Sequence, residues 1–167
     1  MKKILLSILV LIAIVGIAQY GFSGKKETTN TSENALKIGD MIPTFEIKDQ
    51  FEKTHVISPD SKTIFVAGDM DSYKILRDFL LTKEEGFLKA NNSNYLADIT
   101  GMPSLVSEYI ALPKMKKYTF SILLLDETQT SSFVTKPDIL TAYTVTDGKI
   151  SNMKFIETAE QLAAIFN

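Results

Sequence analysis

The chain has 167 residues, 45% hydrophobic and 23% charged, with 18 basic residues, 20 acidic residues and no cysteine. These are ordinary proportions for one globular domain, and without cysteine they exclude disulfides, thiol chemistry and, with His55 the sole histidine, the usual ligand sets for zinc and haem. The net charge is −2, or −4 without residues 1–23, which hold two lysines and no acid, and this excludes the basic face that sequence-independent nucleic-acid binding needs.

Lys2 and Lys3 precede an apolar segment from Ile4 to Ala18, inside an uncharged run over residues 4–24 that ends at Lys25. As a helix the run would cross a hydrocarbon core of about 30 Å. Its apolar centre also fits a cleavable signal, with Gly16-Ile17-Ala18 or Gly21-Phe22-Ser23 supplying small residues at a cleavage site. Residues 1–23 therefore read as a signal peptide or an N-terminal membrane anchor. Either way the N-terminal cations favour the cytoplasmic side, so the domain is expected to be extracytoplasmic (periplasmic), membrane-anchored or secreted. Residues 24–35 contain no large apolar side chain and read as a polar linker, spanning about 20 Å as a random coil.

From Leu36 the pattern becomes that of a packed α/β domain, expected over residues 36–167. Phe45 and Ile47, then His55, Val56 and Ile57, flank the polar stretch Asp49-Gln50-Phe51-Glu52-Lys53 and predict a hairpin, with His55 a half-exposed strand residue. Thr63-Ile64-Phe65-Val66-Ala67 reads as a central strand covered on both faces. Tyr73, Leu76, Phe79 and Leu80 recur at helical spacing, and Thr82 with Glu85 suggests a capping box for a further turn or short helix. Asn94 to Ile99 reads as strand. Pro103 is expected in the first turn of a helix that shares Leu105, Val106, Tyr109 and Ile110 on one face. Tyr118 to Leu125 is the strongest strand pattern, and Leu140 to Ile156 holds two strands around Thr146-Asp147-Gly148, a pair suited to a turn with positive φ. Thr158 and Gln161 predict a capping box opening a last helix with Ala159, Leu162, Ile165 and Phe166 inward.

This order, and the stretch Ile38-Gly39-Asp40-Met41-Ile42-Pro43-Thr44-Phe45-Glu46-Ile47-Lys48-Asp49-Gln50, resembles the thioredoxin-like superfamily, specifically its peroxiredoxin and membrane-tethered thioredoxin branch. The resemblance covers about residues 36–167 and implies a three-layer α/β sandwich, a central mixed sheet with an N-terminal β-hairpin extension. In that family a thiolate sits at the N-terminus of the helix after the first central strand, where the helix dipole and free amides depress its pKa. Here the place reads Gly68-Asp69-Met70-Asp71-Ser72-Tyr73-Lys74, and the Cys-x-x-Cys register falls on Met70 and Tyr73. A thioether is no thiolate, and a phenol of pKa about 10 is a weak nucleophile. The family's cis-proline or threonine, which opens the strand opposite this loop, finds its nearest match in Thr119. The only arginine, Arg77, lies inside the helix rather than beside a thiolate, so the resemblance implies neither disulfide exchange nor peroxide reduction here.

Asp69 and Asp71 faintly resemble the haloacid-dehalogenase phosphatase signature, in which two carboxylates at a strand end hold Mg²⁺ while one attacks phosphate. Ser72 stands where Thr or Val is expected and no matching acidic pair follows, so Asp69 or Asp71 reads instead as a helix cap. Lys114, Lys116 and Lys117 read as a solvated cluster, with anionic lipid or an acidic partner as the alternative. No cofactor or metal is expected. The expected function is a redox-inactive module that holds a protein partner at the cell envelope through Met70, Asp71, Ser72, Tyr73, Tyr118 and Thr119, with membrane contact through the N-terminal segment if it is uncleaved. The alternatives are a small-ligand site in the same groove or a non-thiol enzyme.

Overall fold

The computed structural model describes residues 32–167, so the leader expected over residues 1–23 and the linker through Thr31 lie outside the described residues. Strands β1 (Phe45–Asp49) and β2 (Thr54–Ile57) form the expected hairpin, followed by β3 (Thr63–Ala67), every residue of which is buried. Next come helix α1 (Met70–Leu80), the short α2 (Phe87–Ala90) and strand β4 (Ser93–Asp98). A continuous helical segment then joins α3 (Ser104–Val106), a π-helical turn (Ser107–Ala111) and α4 (Leu112–Met115). Strand β5 (Leu123–Leu125), helix α5 (Glu127–Thr130), strands β6 (Leu140–Thr146) and β7 (Lys149–Ile156), and helix α6 (Ala159–Ala163) complete the order. No helix among the described residues is long and apolar enough to cross a membrane.

The seven strands form one mixed sheet in the order β2-β1-β5-β4-β3-β6-β7, with β3, β4 and β5 parallel and the other pairings antiparallel. Alternating residues of β3 explain why it is apolar throughout: Phe65 and Ala67 face one core cluster, Ile64 and Val66 the other. The first core packs Tyr73, Leu76, Phe79 and Leu80 of α1 and Leu162 of α6 on the sheet, with Phe87 of α2 and Phe166 partly buried against it. The second lies beneath Leu36, Ile42 and Phe133. Asp147 and Gly148 both take positive φ, 50° and 76°, in the turn between β6 and β7, as the Asp-Gly pair predicts. The packed part begins earlier than Leu36: Ala35 is buried, and its amide closes a turn on the Ser32 carbonyl.

Several local expectations give way to longer-range contacts. Thr82 does not open α2. Its hydroxyl donates back to the Phe79 carbonyl at 2.7 Å, and α2 starts from Gly86, which takes φ 83°. Strand β5 is only three residues long, because the Phe120 carbonyl and Ile122 amide bond to the Gln50 side chain instead of to a neighbouring strand. The last capping box is half formed: Thr158 accepts from the Gln161 amide, but the Gln161 side chain bonds the Glu157 amide, and Ala159 is exposed.

The segment after β4 departs furthest from its pattern. Pro103 precedes the helix rather than sitting in its first turn. Leu105, Val106, Tyr109 and Ile110 are 71%, 39%, 73% and 50% exposed, while Ala111 and Met115 are buried and Leu112 is partly so. The π turn within this segment comes from Pro113. This proline has no N–H for the Tyr109 carbonyl, and its ring crowds that carbonyl, so the preceding turn widens and the Leu112 amide reaches back five residues to the Ser107 carbonyl.

Candidate functional site

The stretch from β3 into α1, Gly68 to Lys74, is built around Asp69. It follows the buried end of β3 and caps α1: its Oδ1 accepts from the Asp71 amide at 3.1 Å, the Ser72 amide at 2.8 Å and the Ser72 hydroxyl at 2.8 Å. The Ser72 hydroxyl oxygen accepts from the Asp69 amide at 3.1 Å, completing a reciprocal capping box. The other carboxylate oxygen, Oδ2, accepts from the Asp138 amide at 2.7 Å. Partial burial pushes this carboxyl up, but the bonds from Asp138, Ser72 and Asp71 outweigh it and hold the group below the usual carboxylate range. Asp69 is therefore the cap, with its lone pairs committed to the protein's own donors rather than open to a phosphate or cation. Among the described residues no three His, Asp or Glu side chains gather as metal ligands.

The capping geometry divides the expected partner surface. Met70, at the first helical position, is 47% exposed, and Asp71 is exposed, with Oδ1 accepting from Lys74 Nζ at 2.8 Å. Ser72 is fully buried because its hydroxyl serves the cap. Tyr73 is 7% exposed and belongs to the core: its ring lies 5.9 Å from that of Tyr95, and the Tyr95 hydroxyl donates to its carbonyl at 2.9 Å. Burial first, then the Tyr118 hydroxyl to which it hydrogen-bonds, push the Tyr73 phenol far above its usual value, so it stays neutral. Tyr118 is half-buried, stacked on Phe120 at 5.2 Å, and Thr119 beside it is exposed. A partner at this loop would thus meet Met70 and Asp71, with Tyr73 beneath them as support.

Thr119 does not open the strand beside this loop. The strand running antiparallel beside β3 is β6, and of the residues leading into it Thr135 and Asp138 contact the loop. Thr135 packs so closely on Gly68 that a Cβ built there would lie 2.6 Å from the Thr135 Cβ. Asp138, at φ 63°, turns its amide onto Asp69. The sequence signal for this contact was the Pro-Asp pair just before a strand, a turn signature.

A second polar cluster sits at the hairpin turn, on the last two residues of the opening motif. Asp49 is buried; its Oδ2 meets His55 Nε2 at 2.7 Å and accepts from the Ser121 hydroxyl at 2.9 Å, while Oδ1 accepts from the Phe51 and Lys53 amides. Burial opposes the charge, but the bonds from His55, Phe51, Ser121 and Lys53 together lower the Asp49 pKa. Gln50, also buried, donates to the Phe120 carbonyl at 2.8 Å and accepts from the Ile122 amide at 2.7 Å. His55 and Ser121 share one carboxylate oxygen instead of forming a serine–histidine pair, so the cluster joins the hairpin to the segment before β5 and does not activate a nucleophile.

A mixed sheet with parallel β3-α1-β4, antiparallel β6 and β7, an added N-terminal hairpin and a capped helix start after β3 defines a thioredoxin-like α/β fold, here without the catalytic cysteines. No family model and no curated protein matches the sequence. Solved structures do match. The chain is similar to a protein proposed as a disulfide isomerase from Bacteroides thetaiotaomicron, at 16% identity and TM-score 0.51, over 78% of this chain and 86% of that one. It is similar to the thioredoxin domain of a thiol-disulfide oxidoreductase from Bacteroides vulgatus, at 13% identity and TM-score 0.50, over 80% and 100%. A protein proposed as the thiol:disulfide interchange protein DsbE, from Chlorobium tepidum, matches at 12% identity and TM-score 0.50, over 79% and 95%.

Proposed function

We propose that this chain is a redox-inactive thioredoxin-like module that holds a protein partner at the cell envelope, outside the cytoplasm. The observation that carries this reading is the Asp69–Met70–Asp71 stretch: where the fold's thiolate would stand, an exposed thioether and carboxylate are held on a helix start that is locked by Asp69. The names of the similar structures describe thiol chemistry, and this chain has no thiol to perform it. What it keeps of the site is a rigid contact surface. Methionine suits that use, because its unbranched, polarisable side chain adapts to irregular apolar partners. The apolar segment from Ile4 to Ala18 supports the location, since a signal or an anchor would each carry the domain out of the cytoplasm.

The test is photo-crosslinking in intact cells of the source organism, with a photoreactive amino acid placed at Met70, at Asp71 or, as control, at the exposed Glu84. A discrete protein adduct at Met70 and Asp71 but not at Glu84 is expected. Equal labelling at all three positions, or no adduct at Met70, would overturn the reading.

A further inference from the structure

The exposed stripe on the helical segment after β4 is left unused by the Met70 loop. Leu105, Val106, Tyr109 and Ile110 stand together on the outer side of α3 and the π turn, while Ala111 and Met115, with Leu112 partly buried, take the inner side. Val106, Ile110 and Lys114 follow one another at intervals of four residues, so the apolar stripe runs on into an exposed lysine, with the exposed Lys116 and Lys117 just past the helix end. A short helix with large apolar residues at one end and lysines at the other has the chemistry of an interfacial helix, apolar face in the headgroup boundary and cations on anionic headgroups.

We infer that this helix docks the domain on an anionic lipid surface, lying flat with Leu105, Val106, Tyr109 and Ile110 inserted and Lys114, Lys116 and Lys117 on the headgroups. The inference rests on the envelope reading above. The chain outside the described residues supports the occupant. The uncharged run over residues 4–24 is separated from Ser32 by only seven residues, a stretch of at most about 25 Å when extended. The domain joins that tether at the edge of the sheet where the helix starts, but over the opposite face: Leu36 packs on the core with Ile42 and Phe133, whereas Leu112 and Met115 pack on the core with Tyr73 and Leu162. The Leu36 amide bonds to Ser132, which lies between the end of β5 and Thr135 beside Gly68, while α3 follows the end of β4, and β3, β4 and β5 are parallel. An anchored run would therefore keep that edge of the sheet, and with it the start of the helix, within about 25 Å of the bilayer. A second copy fits the stripe poorly: antiparallel pairing would set lysines on Leu105 and Val106, and parallel pairing would set lysines on lysines.

The natural absence of cysteine allows a single reporter in the full chain. Tyr109→Cys or, as control, Glu84→Cys carries a nitroxide, and the chain is reconstituted in phosphatidylcholine vesicles with or without about one-quarter phosphatidylglycerol. With the anionic lipid, the label at position 109 should lose about tenfold in collision with a water-soluble nickel chelate and gain access to lipid-dissolved oxygen, while the label at 84 stays unchanged. Lys114→Gln, Lys116→Gln and Lys117→Gln together, or salt at about 1 M, where the screening length falls to about 3 Å, should restore water access at 109. Unchanged water access with anionic lipid would overturn the inference. So would protection that grows with protein-to-lipid ratio and broadens the spectrum by label–label coupling, which marks a second copy, or equal protection in lipid-free detergent, which marks the chain's own N-terminal run. Crosslinking at Met70 reports on the partner independently, so failure of one leaves the other standing.

Discussion

Removing the Asp69 carboxylate should cost more than an ordinary helix cap, because that one group fastens α1 to the segment entering β6. Its Oδ1 satisfies two amides of the first turn and the Ser72 hydroxyl, and its Oδ2 holds the Asp138 amide at 2.7 Å. Loss of an N-cap costs about 1 kcal/mol, and loss of a hydrogen bond to a charged group about 1.5–3 kcal/mol, so Asp69→Ala should destabilise the domain by about 3 kcal/mol. At about 4 °C per kcal/mol for a domain of this size, the melting temperature should fall by about 10 °C. Asp69→Asn separates the two parts: its amide oxygen can still cap, while its amide nitrogen turns a second donor toward the Asp138 amide, so about half the loss should remain. The folded-state pKa of Asp69 lies below its unfolded value, so its stabilisation is fully present above about pH 4 and is lost as pH falls through the folded value. The gap between wild type and Asp69→Asn should therefore be constant from neutral pH down to about pH 5 and close below about pH 4, with Asp49 common to both and cancelling. Thermal melts by circular dichroism across that range decide the matter. Asp69→Ala melting with wild type, or a gap that widens in acid, would refute the reasoning.

Three further outcomes follow from the same packing. Tyr73→Ala should cost about 3–5 kcal/mol in denaturant unfolding and Tyr73→Phe about 1 kcal/mol, because the ring fills the core while the hydroxyl bonds to Tyr118; equal, small losses would return Tyr73 to the surface. Gln50→Ala should cost about 2–4 kcal/mol, since it strands the Phe120 carbonyl and the Ile122 amide, and a loss under about 0.5 kcal/mol would deny Gln50 its bridging role. Gly68→Ala should cost about 1–3 kcal/mol through the 2.6 Å approach to Thr135 Cβ, and Thr135→Gly on that background should recover much of it, a coupling readable in a double-mutant cycle.

Much of the chain was decided locally. The unbroken apolar run of β3 specified a strand buried on both faces, Asp147-Gly148 specified a turn of positive φ, and Asp69 three residues before Tyr73's neighbour Ser72 offered the cap that α1 uses. The element order and the Ile38–Gln50 motif resembled the fold that the sheet then displayed, and the missing thiol was legible at once, because nucleophilic chemistry depends on which atoms are present. A further local signature is the capping box of α5, formed by Asp126 and Gln129 directly after the apolar Leu123–Leu125. Other features had no local signal. Gln50 looked like turn residue and became a buried link to peptide groups 70 and 72 positions away. Those bonds, in turn, cut the strand pattern of Tyr118 to Leu125 down to three residues. Periodicity showed that Leu105, Val106, Tyr109 and Ile110 share one face, but not that Ala111 and Met115 would take the core side. Spacing along a helix fixes which side chains stand together, whereas the side that is buried depends on what the rest of the chain brings against it, and only the assembled sheet supplied that.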